Sequence, residues 1–260
     1  MTKRGIAGDW HGNVEWAVDM LALFADRGVE RIYHLGDFGL WHDDEGMNFM
    51  AAVNKACGDA GMVIDVTLGN HENMVMFDAM PRKDIFRIMD QFPNIRYFER
   101  GARWTDGELS FVSLGGANSI DRFTRHANIN WWEGEQIGYG DVMRTREGGF
   151  ANVMLTHDCP AGVAIVNDDD DSHGEERLSW SKEAKEYAQH SRVAVRAAVD
   201  GVKPDVLFHG HFHWSATLTT DLTDSEGNPY TLKSVSMGKD EQAGNIGLLD
   251  VTNGSFELIN

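Results

Sequence analysis

Short apolar runs alternate with longer helical patterns along the first hundred residues of the chain. The runs in "GIAGDWHGN", "RIYHLGD" and "MVIDVTLGN" are bounded by Gly, Asp and Asn, which is typical of short buried strands. Residues 14–27 and the segment "GMNFMAAVNKACGDAG" carry apolar residues at helical spacing, and Gly28 is a predicted C′ glycine. The repeated order of strand, loop and helix indicates βαβ units, so the predicted fold class is α/β.

The later part of the chain continues this pattern less regularly. The segments "NIRYFER" and "LSFVSLGG" predict strands after a Met-rich segment predicted to be mostly helical, and "FANVMLTHDCP" predicts another strand. A long loop with a Trp pair leads to a short helix, and residues 179–200 predict a long helix. The segment "KPDVLFHGHFH" predicts a strand and a loop, and strands and turns follow it to the end. Because no repeat or linker interrupts the chain, we expect one domain over residues 1–260.

Composition and charge narrow the class of protein. A length of 260 residues with 42% hydrophobic and 25% charged residues is ordinary for a globular protein with a full core. The net charge of −18 argues against tight binding to long nucleic acids but leaves small phosphate substrates open. The two cysteines show no pairing pattern, and no apolar run has the length of a signal peptide core or membrane span. We therefore expect a cytoplasmic protein that does not bind a membrane.

Five polar clusters each follow a predicted strand. They are "GDWHGN" (Asp9, His11), "LGDFG" (Asp37), "LGNHEN" (Asn70, His71), "LTHDCP" (His157) and "HGHFH" (His211, His213). In open α/β sheets, ligands bind beyond the carboxyl ends of the strands, so residues distant in sequence can converge there. Glycines beside four of the clusters permit sharp turns and close backbone approach. This arrangement is typical of a binding or active site.

The residue types in these clusters point to metal-ion chemistry. Apart from His71, the named residues supply two aspartates, four histidines and an asparagine carbonyl, enough ligands for two divalent ions that share one carboxylate. Mixed nitrogen and oxygen ligands favour manganese, with iron or zinc as alternatives, over calcium or magnesium. Two such ions can lower the pKa of a bridging water and stabilise both oxygens of an in-line phosphoryl displacement.

The five clusters, in this order, resemble the motifs of the calcineurin-like metallophosphoesterase family. The resemblance spans residues 9–213 and implies a two-sheet β-sandwich flanked by helices, with α, β, β and α layers. It implies that Asp9, His11, Asp37 and His213 bind one metal ion, and that Asp37, Asn70, His157 and His211 bind the other. In this interpretation Asp37 bridges the ions, and His71 contacts phosphate and protonates the leaving oxygen.

Other residues near the clusters allow two interpretations each. His209 is predicted to be structural, whereas Glu72 and Asp158 either orient metal ligands or are solvated carboxylates. Three tryptophans adjoin the clusters, at positions 10, 41 and 214, where an indole either stacks on a nucleobase or packs in the protein. The acidic segment 168–176 is either a solvated loop or a lid over the site.

The match to the protein phosphatases of the family is incomplete. Their "GD" motif continues into "VDRG" with a phosphate-binding arginine, whereas here it continues "GDFGLW"; Arg122 or Arg125 is a candidate substitute. The favoured function is hydrolysis of a phosphodiester, in a nucleotide-like or short nucleic-acid substrate, by attack of a hydroxide that bridges the metal ions. The alternatives are a phosphomonoesterase or protein serine/threonine phosphatase, and a non-catalytic scaffold of the same fold. No obligate protein partner is predicted.

Overall fold

The structure of the protein, a computed structural model, describes residues 2–164 and 180–260. The strands are β1 (Lys3–Ala7), β2 (Arg31–His34), β3 (Val63–Val66), β4 (Arg82–Lys83), β5 (Phe86–Ile88), β6 (Ile95–Phe98), β7 (Ala102–Asp106), β8 (Leu109–Leu114), β9 (Val153–Thr156), β10 (Val206–His209), β11 (Ala216–Thr223), β12 (Pro229–Ser236), β13 (Ile246–Asp250) and β14 (Phe256–Leu258). The helices are α1 (Val14–Asp26), α2 (Asp44–Ala60), α3 (Met74–Ala79), α4 (Tyr139–Glu147) and α5 (Lys182–Val202). Short 3-10 turns span Arg122–Thr124 and Glu133–Glu135.

The strands form two sheets with parallel centres. The first sheet has the order β14-β13-β1-β2-β3-β6-β5-β4, and its strands β1, β2, β3 and β6 are parallel. The second sheet has the order β11-β12-β10-β9-β8-β7, with parallel pairing from β12 to β8. Antiparallel strands complete both sheets at their edges. The carboxyl ends of the parallel strands therefore lie together in each sheet.

Alternating side chains along the strands build a layered core. In β1 and β2, Ile6 and Tyr33 pack in a cluster shared with β9, β10 and β13, between the two sheets. The next residue on β1, Ala7, instead joins a cluster with α1, α2 and α3, since successive strand side chains point to opposite faces. In β10, Leu207 likewise packs with α4 and α5 while Phe208 packs between the sheets. The predicted α/β fold, a two-sheet sandwich flanked by helices, is confirmed.

Local sequence signals account for the two helices that precede the site loops. The Asn13 side chain accepts a hydrogen bond from Trp16 N at 3.1 Å and caps α1, and Gly28 after α1 has the positive φ of 70° expected of a C′ glycine. The Asp43 carboxylate accepts from Gly46 N at 2.9 Å and caps α2, which ends at Gly61 in the left-handed conformation. Both helices begin directly after loops that carry predicted metal ligands.

Two parts of the sequence prediction differ from the structure. The Met-rich segment was expected to be mostly helical, but after the short α3 it forms the β4–β5 hairpin, whose Phe86 packs on Phe98 with ring centroids 4.9 Å apart. Strand β7 was not predicted; its Trp104 stacks on Phe98 and Phe111 at 4.2 and 5.2 Å. In both cases aromatic packing across strands stabilises pairing that the local pattern does not show.

The acidic segment 168–176, which the sequence predicted to be either a solvated loop or a lid over the site, lies outside the described residues. Within the described ranges, none of the helices has the length and apolarity needed to cross a membrane.

Candidate metal centre

All five predicted clusters lie in loops at the carboxyl ends of parallel strands. The loops after β1, β2 and β3 come from the first sheet, and those after β9 and β10 come from the second. Because the two sheets pack face to face, these five loops meet at one end of the sandwich. The topology therefore brings together side chains that are up to about 200 positions apart in the sequence, such as Asp9 and His211, whose backbone N–H donates to the Asp9 carboxylate at 3.1 Å.

A first group of possible metal ligands consists of Asp9, His11, Asp37 and His213. Each of these residues offers one ligand atom, and the four atoms lie within 4.8 Å of one another. His213 Nε2 is 3.3 Å from Asp9 Oδ2, and His11 Nε2 is 3.7 Å from Asp37 Oδ2. Two carboxylates and two imidazoles at this spacing can enclose one divalent ion.

A second group consists of Asp37, His157 and His211, with the same 4.8 Å limit. His157 Nε2 is 3.3 Å from Asp37 Oδ1 and 2.9 Å from Asn70 Oδ1, so the Asn70 carbonyl also faces this group. Asp37 is common to both groups, with one oxygen toward each. The structure thus brings together all seven residues that the sequence predicted as ligands, in the predicted two sets.

The backbone of the ligand loops is held in an unusual conformation. His11, Asp37, His211 and His213 have positive φ angles of 45°, 49°, 69° and 56°. Residues other than glycine adopt this left-handed region rarely and at a cost of about 1 kcal/mol or more. Four of the seven proposed ligands share it, which indicates that the loops are shaped to aim these side chains at a common point.

Glycines make room for the ligands at close contacts. A Cβ atom on Gly210 would collide with the Asp9 carboxylate, and a Cβ on Gly69 would collide with the backbone and side chain of Asp37. Gly36, with a φ of 98°, lies where a Cβ would come within 2.6 Å of His157 Nδ1. The glycines of the sequence motifs are therefore required by the packing of the ligand side chains.

Hydrogen bonds orient the histidines and the shared aspartate. His157 Nδ1 donates to the Leu35 carbonyl at 2.7 Å, which leaves Nε2 to face Asp37. His11 Nδ1 lies 3.3 Å from Asp240 Oδ1, so its Nε2 also faces the centre. The buried Glu72 carboxylate accepts from the backbone N–H groups of Gly69, Asp37 and Phe38, and so ties the second and third ligand loops together.

Strong electrostatic coupling links these groups. Burial opposes ionisation of Asp37, but His157 and His71 outweigh it and hold the pKa of this carboxyl well below its usual range. Burial likewise opposes protonation of His157 and His11, but Asp37 outweighs it and raises their pKa values to about 10 and about 9. The Asp37 carboxylate is thus ionised and attracts positive charge, as a cation-binding site requires.

His71 lies on the accessible side of the centre, next to Arg125. Its Nε2 is 3.8 Å from Asp37 Oδ2 and accepts a hydrogen bond from Arg125 Nη2 at 2.9 Å. Burial and the Arg125 charge lower the pKa of His71, although Asp37 opposes them. Asp121 Oδ2 pairs with Arg125 Nη2 at 2.7 Å and holds it there. Of the two arginines predicted as substrate contacts, Arg125 is thus placed at the centre.

The second arginine, Arg122, lies in an aromatic cluster. Its guanidinium carbon is 4.5 Å from the Trp131 ring centroid, 4.7 Å from that of Tyr187 and 5.4 Å from that of Phe123. These cation–π contacts give Arg122 a packing role in the loop that carries Arg125.

The structure shows the surroundings of four further residues near the clusters. Trp10 is fully buried and donates to Asn245 Oδ1 at 2.9 Å, so it packs in the protein and is not available for stacking on a base. His209 is fully buried with Nδ1 3.0 Å from the Gly210 carbonyl oxygen, and burial lowers its pKa to about 4. Glu72 and Asp158 are also buried and accept hydrogen bonds, so neither is a solvated carboxylate.

Comparison with known proteins identifies the fold. No protein-family model matches the chain, and no curated protein matches it either. A dimetal phosphatase from Danio rerio superposes with a TM-score of 0.55 at 10% identity, covering 95% of this chain and 91% of that one. The protein TT1561 of Thermus thermophilus gives a TM-score of 0.52 at 11% identity, covering 100% of this chain and 98% of that one. The fold is the metallophosphoesterase fold. The resemblance inferred from the motifs is confirmed at this level.

The donor atoms at the loop ends of this metallophosphoesterase fold fit a pair of divalent ions. Two groups share one buried, ionised carboxylate. The rings of His11 and His157 are oriented toward the centre by contacts of their Nδ1 atoms with Asp240 and with the Leu35 carbonyl. Mixed nitrogen and oxygen donors suit a transition-metal ion.

Three residues of the centre were missed by sequence reasoning. Asp240 orients His11, Asn245 holds Trp10, and Ser119 accepts a hydrogen bond from the Asn70 amide. Ser119 and Asp240 follow β8 and β12 and lie close to Gly116 and Gly238, so both carry the signal of a polar residue after a strand and a glycine. Asn245 directly precedes β13 and lacks this signal.

Proposed function

We propose that this protein is a dimetal phosphoesterase that hydrolyses a phosphodiester in a nucleotide-like or short nucleic-acid substrate. The observation that carries the proposal is the Asp37 carboxylate, which is shared by two groups of metal-ligating side chains beside His71 and Arg125. Two divalent ions, with manganese favoured, would supply Lewis-acid stabilisation of the phosphoryl oxygens and a water of lowered pKa.

The chain's own residues can bind and orient the substrate. The side chains of His11, His71 and His213 are 22%, 32% and 40% exposed, whereas that of Asp37 is 2% exposed, so the substrate enters on the histidine side. The Arg125 guanidinium lies on that side and carries donors suited to phosphate oxygens. His71 faces the same space. When Arg125 binds a phosphate oxygen and no longer donates to His71 Nε2, this nitrogen can take up a proton and give it to the leaving oxygen.

The charge of the site and of the chain favours a diester of limited size. Arg125 is the one arginine that contacts His71 in the described part of the chain, and a diester carries less negative charge than a monoester for such a site to compensate. The net charge of −18 opposes binding of a long polyanion. The 41% exposed Trp214, next to His213, provides an aromatic surface for a base.

The alternatives predict different substrates. A phosphomonoesterase or protein serine/threonine phosphatase would prefer a monoester, and a scaffold of this fold would turn over neither. We would compare bis(p-nitrophenyl) phosphate with p-nitrophenyl phosphate and a phosphoserine peptide, with Mn²⁺, Fe²⁺, Zn²⁺ and Mg²⁺ tested separately. Metal-dependent turnover with preference for the diester is expected. Preference for either monoester would overturn the diester assignment, and no turnover of any ester would overturn the enzymatic function.

A further inference from the structure

A buried chain of hydrogen bonds connects the Asn70 side chain to helix α5. The Asn70 amide Nδ2 donates to Ser119 Oγ at 2.9 Å, and Ser119 Oγ donates to Glu135 Oε2 at 2.5 Å. Glu135 Oε1 also accepts from Ser119 N and from Tyr187 Oη, each at 2.9 Å. Exposure of Glu135, Ser119 and Asn70 is 0%, 1% and 2%, so water does not compete for these bonds.

The donors around Glu135 fix the donor-to-acceptor direction of each hydrogen bond in this series. Three hydrogen bonds converge on the Glu135 carboxylate, and a carboxylate can only accept. The single hydroxyl proton of Ser119 is therefore used toward Glu135, and its oxygen is left to accept from Asn70. An acceptor at this position holds the Nδ2 of Asn70 toward Ser119 and the Oδ1 toward His157 Nε2, at 2.9 Å.

The turn that carries Glu135 is itself firmly held. The Arg100 guanidinium donates to the carbonyl oxygens of Gly134, Glu135 and Gln136 at 2.7, 3.3 and 2.9 Å. Tyr187 on α5 is held from the other side, because the Arg122 guanidinium lies over its ring. The Glu135 carboxylate is therefore held in the position where it accepts the hydrogen bond from Ser119 Oγ.

We propose that Glu135 is a positioning residue that acts through Ser119 to keep the carbonyl oxygen of Asn70 turned toward His157 and the second metal site. The inference rests on the proposed dimetal function. Flipping the amide would present the Nδ2 group, which has no lone pair for a cation, to the second site. Residues that orient a metal ligand in this way are typically worth about 10- to 100-fold in metal affinity.

The variant Glu135→Gln tests the direction of the hydrogen bonds that run from Asn70 through Ser119 to Glu135. Its carbonyl oxygen will take the Oε1 position, where two donors converge, and its NH₂ group will face Ser119 Oγ and donate to it. The Ser119 proton is then free to point at Asn70, which favours the flipped amide. Titration of the full-length protein with Mn²⁺, by calorimetry and by electron paramagnetic resonance of free Mn²⁺, should show one ion bound as in wild type and the second about 10- to 100-fold more weakly.

Two further variants separate positioning from a general effect on folding. Glu133→Gln makes the same change at an exposed residue of the same turn and should leave both Mn²⁺ affinities unchanged. In the Asn70→Asp background the side chain ends in two equivalent oxygens and has no wrong orientation. Adding Glu135→Gln to that background should therefore change the second affinity less than about 3-fold.

The outcomes distinguish this inference from the proposed function. Wild type that binds two Mn²⁺ ions, with Glu135→Gln indistinguishable from it, would overturn the positioning role alone. An equal loss in the Asn70 and Asn70→Asp backgrounds would do the same, since it would show a structural effect. Wild type that binds fewer than two ions would overturn both. If Glu135→Gln does not fold, Ser119→Ala, which removes only the hydroxyl, carries the same prediction for the second ion.

Discussion

His71 lies between the buried carboxylate of Asp37 and the guanidinium of Arg125, with its Nε2 3.8 Å from Asp37 Oδ2. A proton donor at this position matters most when the leaving oxygen is strongly basic, because a weakly basic oxygen leaves without help. His71→Asn should therefore lower kcat about 10²- to 10⁴-fold on an alkyl or nucleoside phosphodiester, and much less on bis(p-nitrophenyl) phosphate. Bound Mn²⁺ should stay at two ions per chain.

The exposed His190 provides the control for this substitution. His190→Asn should leave turnover of both esters unchanged. An equal loss on the two esters in His71→Asn would contradict a role for His71 in protonating the leaving group.

Alanine substitutions of the two arginines in the 122–125 loop should have different effects on KM and on the melting temperature. Arg125 lies against His71, whereas Arg122 lies among three aromatic rings. Arg125→Ala should raise KM about 10-fold or more, because it removes a charged hydrogen bond to phosphate. Arg122→Ala should lower the melting temperature and change KM less. Steady-state kinetics and thermal unfolding check both, and a KM effect confined to Arg122 would contradict this assignment.

The loop between β10 and β11 shows how an element shapes the site. A Cβ atom on Gly210 would collide with the Asp9 carboxylate, to which His211 N also donates. Gly210→Ala should therefore weaken binding of one Mn²⁺ ion about 10-fold or more while the protein stays folded. Gly140→Ala, on α4 where the nearest atom is at an ordinary 3.5 Å, is the matched control and should have no effect. Unchanged Mn²⁺ affinity in Gly210→Ala would show that Asp9 is not held in this way.

The sequence predicts the location of side chains at the candidate site well where they follow a strand directly. Asp37 and His157 each come one to three residues after a buried parallel strand, so knowing the strand is enough to place the side chain. Asp240 and Ser119 also lie after strands, β12 and β8, but their place at the centre depends on the path of the loops that leave those strands. The burial of Glu72 could not be predicted from the sequence either, because it depends on backbone N–H groups of another loop.

Strand edges were harder to predict than the central sheet. The β4–β5 hairpin and β7 lie at or near sheet edges, where the pattern of apolar residues is weak. Their pairing is supported by rings that meet across strands, such as Trp104 on Phe98, and this is information about tertiary contacts.

Asp106 joins the two sheets of the sandwich. It ends β7 in the second sheet and accepts from Arg4 on β1 at 2.7 and 2.8 Å and from Tyr33 Oη on β2 at 2.7 Å. Burial opposes its ionisation, but the bonds from Arg4 and Tyr33 outweigh this and lower the pKa of Asp106. A carboxyl with a lowered pKa in the folded state stabilises the protein above its unfolded pKa, and this contribution is lost as pH falls through the folded value.

Asp106→Asn should lower the free energy of unfolding by about 2 kcal/mol at pH 7. The difference from wild type should shrink as pH falls below about 4, because the carboxyl of the unfolded chain becomes protonated there, and it should be lost as pH falls through the lower pKa of the folded carboxyl. Urea unfolding at several pH values measures this. Asp59→Asn, at a residue whose side chain is 66% exposed and paired with Lys55, should change stability by less than about 0.5 kcal/mol at pH 7. A deficit in Asp106→Asn that stays constant to pH 3 would contradict the assignment.

We propose that one carboxylate, Asp37, binds both metal ions. Equilibrium dialysis with Mn²⁺ on wild type, Asp37→Asn and Asp9→Asn measures this. Asp37→Asn keeps an oxygen for the backbone N–H groups of Asn70 and His71, which now donate to Asp37 Oδ1 at 2.9 Å each, so the loops should stay in place. We expect two ions in wild type, weakened binding of both in Asp37→Asn, and weakened binding of one in Asp9→Asn. Two ions bound to Asp37→Asn with wild-type affinity, or a single ion in wild type, would show that Asp37 is not shared.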